Sequence, residues 1–279
     1  MNFFKHHPIT SYILLTFLIS WGGIFATTGF VDLSMDEFNQ LMPAIVTFLI
    51  SGPILSAIVI SWVLDRNLSA LIYEFKQWRV ELKYWLIALF LVPLAPLITL
   101  LVLSLFSSSY LPIIVVTENK FELIAMGIGI GLFGGFMEEF GWTGFVAART
   151  KKRPLFSLAI TTGLLWGLWH LPTSFWGRSG TIGSVPLWIY LPVVLLAFTV
   201  PLRIILFWLY RQSQSIYPAM VMHASLIPSV FFVFVPQNTG WAHLFYYIVL
   251  AVVFWLIAWV LGMKERIHDP GILVADQGA

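Results

Sequence analysis

Residues 84–106 read YWLIALFLVPLAPLITLLVLSLF, a run of 23 residues without a charged side chain. A helix needs about 20 mostly apolar residues to cross the hydrocarbon core of a bilayer. This stretch therefore predicts a transmembrane helix, and the rest of the chain repeats its pattern.

Seven more apolar runs surround this one, so the sequence predicts about eight transmembrane helices. The first run lacks a small-residue cleavage pattern, and we interpret it as a retained helix. The sixth is interrupted by Pro201 and Arg203, which leaves its end open. Residues 65–83 are too charged to span and predict an amphipathic or loop segment on the membrane surface. The predicted spans are 8–30, 42–64, 84–106, 121–148, 155–176, 186–210, 214–234 and 243–263.

The composition supports this interpretation. Hydrophobic residues make up 59% of the 279 residues, charged residues 10%, and the chain has no cysteine. A soluble domain would carry roughly 25% charged residues, so water is excluded as the main solvent. We predict an all-α, polytopic membrane protein with a single transmembrane domain over residues 1–279. The formal net charge of +2 gives no indication of a nucleic-acid partner.

The basic residues predict the orientation of the chain. One set of alternate loops and ends holds 13 of the 15 Lys and Arg, whereas the other set holds only Lys120 and Arg178. Because positive charge accumulates on the cytoplasmic side, both termini are predicted to be cytoplasmic, and the number of spans to be even. This tally assigns Arg203 and Arg211 to one cytoplasmic loop after the sixth span.

Two adjacent acids break the pattern of charges confined to loops and tails. Glu138 and Glu139 lie in an apolar stretch, about ten residues before the basic cluster at 149–153. That distance is roughly 15 Å along a helix, which reaches the middle of a bilayer. A carboxylate there costs roughly 2.5–3.5 kcal/mol by insertion scales, so an acid in the membrane is a functional hypothesis by default.

Two histidines also lie well inside predicted spans, namely His170 and His223. Their depths are roughly 22 Å and 15 Å from the predicted cytoplasmic edge, which overlaps the depth of the two acids. Each group has a structural alternative, such as a protonated Glu bonded to backbone or a His that packs in the core. Their shared depth favours one polar site inside the helix bundle.

The chemistry available to this set is narrow. No Ser–His–Asp triad is visible, because no Asp lies inside a predicted span. A Glu with a second Glu and two His suits activation of water, with Glu as general base and the other groups polarising a carbonyl or binding a metal. Hydrolysis of an amide bond is therefore the predicted reaction. A zinc ion held by Glu138, His170 and His223 is an alternative that these residues leave open.

The motifs around these residues resemble the CPBP family of intramembrane proteases, which includes the CAAX prenyl endopeptidases and the bacterial Abi proteins. The family pattern is Glu-Glu-x-x-x-Arg, then Phe-x-x-x-His, then His-x-x-x-Asn. Here the corresponding segments are Glu138–Thr143, Trp166–His170 and His223–Ile227, in the same order within a core of about residues 121–230. The eight-span layout agrees with the resemblance.

The resemblance implies a role for each of the four polar residues. Glu138 would activate water, and Glu139 would orient the site. His170 would position the water, and His223 would help to stabilise the oxyanion. Because family members have been described both as metalloproteases and as glutamate proteases, the resemblance leaves zinc open.

Two positions depart from the family pattern. Thr143 replaces the motif Arg, so the Glu pair is expected to lack its counter-ion, since a hydroxyl cannot replace that charge. Ile227 replaces the motif Asn and removes an amide donor, a loss that costs on the order of 10²–10³ in rate at an oxyanion hole. Ser174 is a candidate substitute because it follows His170 by one helical turn. Trp142, Trp166 and Trp169 are candidates for walls of the site, with ordinary aromatic packing as the alternative.

Three functions follow from this set, in decreasing order of preference. The first is an endopeptidase that cleaves a peptide or membrane-protein substrate. The second is a degenerate member that binds membrane peptides, as in bacteriocin immunity or scaffolding. The third is a proton-coupled transporter, which the absence of paired repeats disfavours. The compact form without cysteine suits a prokaryotic plasma membrane, and the endoplasmic reticulum is left open as an alternative. The sequence does not identify the substrate.

Overall fold

A computed structural model of the protein describes residues 2–29, 31, 33–151, 153–176 and 182–268. Within these residues it is a helical bundle. A short 3₁₀ helix covers Ser108–Tyr110. Three α-helices, which end at Gly141, Leu191 and Ile227, lead into π-helical segments at Trp142–Ala147, Pro192–Ala197 and Pro228–Val233. The α-helices are α1 (Asn2–His6), α2 (Pro8–Thr28), α3 (Met35–Asp65), α4 (Ser69–Lys76), α5 (Leu82–Ser104), α6 (Ile113–Val116), α7 (Lys120–Gly141), α8 (Leu155–Trp169), α9 (Leu171–Trp176), α10 (Leu187–Leu191), α11 (Thr199–Ser213), α12 (Ile216–Ile227) and α13 (Gly240–His268).

The predicted all-α, multi-pass architecture is confirmed. Among the described residues, seven helices are long and apolar enough to cross a membrane. The predicted fifth span, 155–176, is instead the shorter helix α8 followed by α9, with a break at His170. Pro172 explains the break, because proline is favoured in the first turn of a new helix. The orientation of the termini stays a prediction, and Arg178, on which it partly depends, lies outside the described residues.

Helix α7 approaches α12 very closely through a stripe of glycines. Gly127, Gly131 and Gly135 recur every four residues and so share one face of α7. A Cβ atom at Gly135 would lie 2.6 Å from the backbone nitrogen of Ala224, and one at Gly131 would lie 2.3 Å from its carbonyl oxygen. Small residues at this spacing allow two transmembrane helices to touch along their backbones. The next residue in the same stripe is Glu139, which is thereby directed at α12.

The sixth predicted span differs from its sequence interpretation. Helix α11 continues through Pro201 and Arg203 to Ser213, and its residues from Thr199 to Tyr210 are all buried. Arg203 is therefore inside the bundle, with no solvent exposure, and its assignment to a cytoplasmic loop is wrong. The sequence interpretation left the end of this span open because of the proline and the charge, whereas the structure buries both residues inside a continuous helix.

The charged segment at 65–83 contains the short helix α4, which packs on the bundle. Glu74 of this helix is buried and accepts hydrogen bonds from the Tyr210 hydroxyl at 2.7 Å and the Lys151 ammonium group at 3.4 Å. Tyr210 lies near the end of α11, and Lys151 lies in the connection that follows α7. These bonds anchor α4 to the helices that carry the central polar residues.

Candidate active site

The two adjacent glutamates project from different faces of α7. Glu139 extends the glycine stripe that faces α12. Glu138 instead follows Ile130 and Gly134, and these three residues line a cavity between α7 and α3. Neighbouring residues on an α-helix point about 100° apart, which separates the surroundings of the two carboxylates. The pair therefore divides into one carboxylate buried in a polar network and another that borders a cavity.

The Glu139 carboxylate is fully buried and receives hydrogen bonds from three side chains. The Arg203 guanidinium nitrogen Nη1 lies 3.0 Å from Oε1 and 2.8 Å from Oε2. The Thr143 hydroxyl donates to Oε2 over 2.5 Å, and the Nδ1 atom of His223 lies 2.8 Å from Oε1. Because an ionised carboxylate only accepts, His223 carries its proton on Nδ1 and donates it to Glu139.

Aromatic rings surround the Arg203 guanidinium on the sides that do not face the carboxylate. Its Cζ atom lies 4.2 Å from the ring centroid of Trp166, 5.4 Å from that of Phe207 and 5.7 Å from that of Trp142. The planar and weakly hydrated guanidinium is well suited to such stacking. Contacts of this kind are favourable for a desolvated cation, and they help to offset the cost of keeping it away from water.

Trp166, whose ring face lies against Arg203, also binds the Glu138 carboxylate. The Trp166 indole nitrogen donates to Glu138 Oε2 over 2.8 Å. The Nε2 atom of His170 lies 3.9 Å from the same oxygen, too far for a direct hydrogen bond. The Nδ1 atom of His170 lies 2.8 Å from the Trp166 carbonyl oxygen, which only accepts, so Nδ1 carries the proton. In the neutral ring Nε2 is then a hydrogen-bond acceptor directed at Glu138.

The structure thus brings the four predicted residues together around one tryptophan. The Trp166 ring centroid lies 5.4 Å from that of His170 and 5.4 Å from that of His223. The sequence interpretation did not identify Trp166 as a hydrogen-bond donor, and treated it as a wall or packing residue. Trp142 and Trp169 are completely buried and pack edge to face, with ring centroids 6.2 Å apart.

A cavity of about 450 Å³ opens at Glu138. Apolar side chains of α3 and α7 form most of its walls, and Ile227, at the position of the family's Asn, is one of the lining residues. Thr173 also lines the cavity, whereas Ser174, the substitute suggested by the sequence, does not. The Thr173 hydroxyl donates to the His170 carbonyl oxygen at 2.9 Å, so it supports the end of α8.

A zinc site with Glu138, His170 and His223 as ligands does not fit this geometry. Within the described ranges, no group of three or more His, Cys, Asp or Glu side chains is arranged to hold a metal ion. The Nδ1 atom of His223 donates to Glu139, and neither residue lines the cavity that Glu138 borders. A structural zinc site requires ligand atoms that converge within about 2.0–2.3 Å of one point.

The expectation that the Glu pair lacks a counter-ion is also wrong. Arg203 supplies the charge from α11, and Thr143 adds a hydrogen bond to the same carboxylate from the position of the motif Arg. One signal in the sequence could have identified Arg203. It is the single charged residue in the apolar run 187–210, and a buried acid needs a buried base.

These features define a class of protein. It is a multi-pass helical membrane protein whose central helices enclose a polar site, with an ion pair on one side and a carboxylate beside a cavity on the other. Residues 120–226 match the family described as type II CAAX prenyl endopeptidase Rce1-like. The match confirms the resemblance of this core of the chain to the CPBP, or CAAX protease, family. The curated proteins include no significant match to the chain.

Proposed function

We propose that the protein is an intramembrane endopeptidase in which Glu138 activates a water molecule. The match of residues 120–226 to a protease family supports hydrolysis of a peptide bond at the family level. Glu138 takes a proton from water, and the resulting hydroxide attacks the carbonyl carbon of the scissile bond. The proton then passes to the amide nitrogen as the carbon–nitrogen bond breaks.

One observation carries this proposal, namely the 3.9 Å separation of Glu138 Oε2 and His170 Nε2, with Glu138 lining a cavity. Both atoms are hydrogen-bond acceptors when His170 is neutral. A water molecule between them can donate one hydrogen to each, at ordinary hydrogen-bond lengths. Its lone pairs then remain available to a carbonyl carbon in the cavity, which is the arrangement that general-base catalysis requires.

Glu139 is proposed as a positioning residue, because its oxygens are already occupied by Arg203, His223 and Thr143. A carboxylate with such partners has little tendency to take a further proton from water. Its bond to Nδ1 fixes the tautomer and orientation of the His223 ring. When that ring becomes an imidazolium its Nε2 atom can also donate, which supports the role of His223 in stabilising an oxyanion.

The shape of the cavity supports an apolar peptide segment as substrate. The cavity follows α3 from Phe38 to Ile50, a distance of roughly 18 Å at 1.5 Å per residue. Except for Glu138, Asn39 and Thr173, its lining residues are apolar. Such a groove suits an extended stretch of a membrane protein whose backbone carbonyl is brought to Glu138.

The experiment is peptide cleavage by the purified protein in detergent. A library of hydrophobic peptides is incubated with wild type, Glu138→Gln and His170→Ala, and the products are read by mass spectrometry. We expect cleavage by wild type, none by Glu138→Gln and strongly reduced cleavage by His170→Ala. A matched control is Glu122→Gln, which changes a carboxylate at the exposed start of α7 and should leave the rate unchanged. Cleavage that persists in Glu138→Gln would refute the assignment of the base.

A second candidate function is a non-hydrolytic member of the family that binds membrane peptides. Ile227 favours it, because this side chain lines the cavity where the family motif has an amide donor. Peptide binding by wild type, with an affinity that Glu138→Gln leaves unchanged and with no product formed over long incubation, would favour this alternative.

A further inference from the structure

We propose that Arg203 has taken over the work that the family motif assigns to an arginine at position 143. The inference rests on the proposed function, since it gives Arg203 a positioning role for the catalytic groups. The two positions lie on different helices, with Thr143 in the π-helical segment after α7 and Arg203 in α11. The positive charge beside Glu139 therefore comes from a different helix than the family motif implies.

Arg203 supplies the charge that balances the buried Glu139 carboxylate. Both side chains of the Arg203–Glu139 pair have no solvent exposure, and the shortest nitrogen–oxygen distance is 2.8 Å. A buried carboxylate without a partner is strongly unfavourable, because nothing offsets the loss of its hydration. A second guanidinium at position 143 would compete for one carboxylate, because Thr143 is itself fully buried and already bonds to Glu139 Oε2.

Arg203 also determines which atoms of Glu139 and His223 carry protons. Arg203 keeps Glu139 ionised, and ionised Glu139 accepts the Nδ1 proton of His223. Without the guanidinium, the buried carboxylate would take up a proton and would then have a hydrogen to donate. The Nδ1 atom of His223 would become the acceptor, and its proton would move to Nε2. The identity of the residue at position 203 therefore controls the tautomer of His223.

Arg203 is also linked through Trp166 to the other carboxylate, that of Glu138. The guanidinium lies against the face of Trp166, and the indole nitrogen of the same ring donates to Glu138. A change in the position of Arg203 would therefore change the orientation of the Trp166 ring and the geometry of its hydrogen bond to Glu138. One buried cation thus positions groups on both sides of the site without contacting the cavity residues that face a substrate.

The test is a relocation of the charge. Four variants are purified in detergent, namely Arg203→Met, Thr143→Arg, the double variant Thr143→Arg/Arg203→Met, and the control Arg211→Met at the end of the same helix. The measurements are the midpoint of thermal unfolding, the cleavage kinetics and the ¹⁵N shifts of the His223 ring in protein with labelled histidine. The midpoint and the ring shifts do not require any cleavage activity.

We expect Arg203→Met to lower the unfolding midpoint by about 10 °C relative to wild type, with a much smaller change in Arg211→Met. The His223 ring should change from the Nδ1–H to the Nε2–H tautomer, and kcat should fall while KM changes little. Thr143→Arg alone should also lower the midpoint, because it places two cations beside one carboxylate. The double variant should recover at least half of the loss in midpoint and restore the Nδ1–H tautomer.

The inference is overturned if the double variant is no more stable than Arg203→Met, or if Arg203→Met leaves the His223 shifts unchanged. If Arg203→Met does not fold, Arg203→Lys decides the matter. It keeps the charge but loses the planar group that lies against Trp166, so we expect a lower kcat, and wild-type kinetics would refute the inference. If wild type cleaves no peptide, the proposed protease function fails, while the midpoints and ring shifts still decide the role of Arg203.

Discussion

Trp166 joins Glu138 to the buried ion pair. Its indole nitrogen donates to the Glu138 carboxylate over 2.8 Å, while the face of its ring lies 4.2 Å from the guanidinium carbon of Arg203. One side chain therefore contacts the proposed base at its edge and the structural cation at its face. In the family pattern this position is a Phe, which could supply the ring face but no hydrogen bond.

The hydrogen bond can be tested with Trp166→Phe, which restores the residue of the family pattern. A smaller aromatic face over Arg203 is retained, and the donor to Glu138 is lost. A hydrogen bond to a charged group contributes roughly 1.5–3 kcal/mol, so we expect kcat/KM to change by about tenfold or more. Steady-state kinetics with a cleaved peptide gives the measurement. An unchanged rate would show that the indole hydrogen bond has no influence on the base.

Glu139→Gln and Glu138→Gln should differ in stability although the two residues are adjacent. Glu139→Gln leaves Arg203 buried without a counter-ion, and breaking a buried pair in this way costs about 3–5 kcal/mol. Glu138→Gln keeps an oxygen that can accept from Trp166, so it should cost much less. Thermal unfolding in detergent compares the two directly. Equal midpoints would contradict the division of the pair into a structural and a catalytic carboxylate.

Ile227→Asn tests whether the departure at this position weakens the enzyme. Ile227 lines the cavity beside Glu138, and the counter-ion is already supplied by Arg203. The amide alone should therefore raise the rate, by about 10- to 100-fold if it reaches the developing oxyanion. Ile227→Leu is the matched control, because it has a similar shape and no donor. A gain in the Leu variant as well would point to a change in packing and not to the amide.

The bundle was largely predictable from hydropathy, and the exceptions have local causes. Apolar runs of about 20 residues predicted the seven long helices. A single segment in lipid can satisfy its backbone hydrogen bonds only as a helix. The fifth span was predicted too long because its apolar character continues past His170, where α8 ends. Helix ends depend on single residues such as Pro172, to which averaged hydropathy is insensitive.

The site was predictable in its residue types but not in its pairings. The depths of Glu138, Glu139, His170 and His223 indicated one polar layer, yet depth does not reveal which face of a helix a residue occupies. The spacing of Gly127, Gly131 and Gly135 contained that information for Glu139, since the four residues share one face. The pairing with Arg203 was harder to infer, because it joins residues 64 positions apart on α7 and α11.

The metal requirement has a direct test. Because His223 is engaged with Glu139 and the other groups do not converge on one point, we expect purified active protein to contain far less than one zinc per chain. Cleavage should be insensitive to chelators at concentrations that strip zinc from a known zinc peptidase measured in parallel. Stoichiometric zinc, lost together with activity in His170→Ala, would require a rearranged site.

The contact between α7 and α12 determines whether Glu139 reaches His223, and Gly135→Ala tests it. A Cβ atom at position 135 would lie 2.6 Å from the Ala224 nitrogen and 2.8 Å from the Met220 carbonyl oxygen, so the helices must separate. Overpacking of this kind costs about 1–3 kcal/mol. Gly129→Ala is the control, because a Cβ atom there has no atom within 4 Å apart from its own helix and chain neighbours.

The two alanine variants separate backbone contact from helix propensity. Alanine stabilises a helix relative to glycine, so Gly129→Ala should be neutral or slightly stabilising. Gly135→Ala should lower the unfolding midpoint and also perturb the His223 ring signals, since separation of the helices lengthens the 2.8 Å bond to Glu139. Loss of stability with unchanged ring signals would mean that α12 moves without its histidine, so that the glycine stripe packs the bundle without positioning the site.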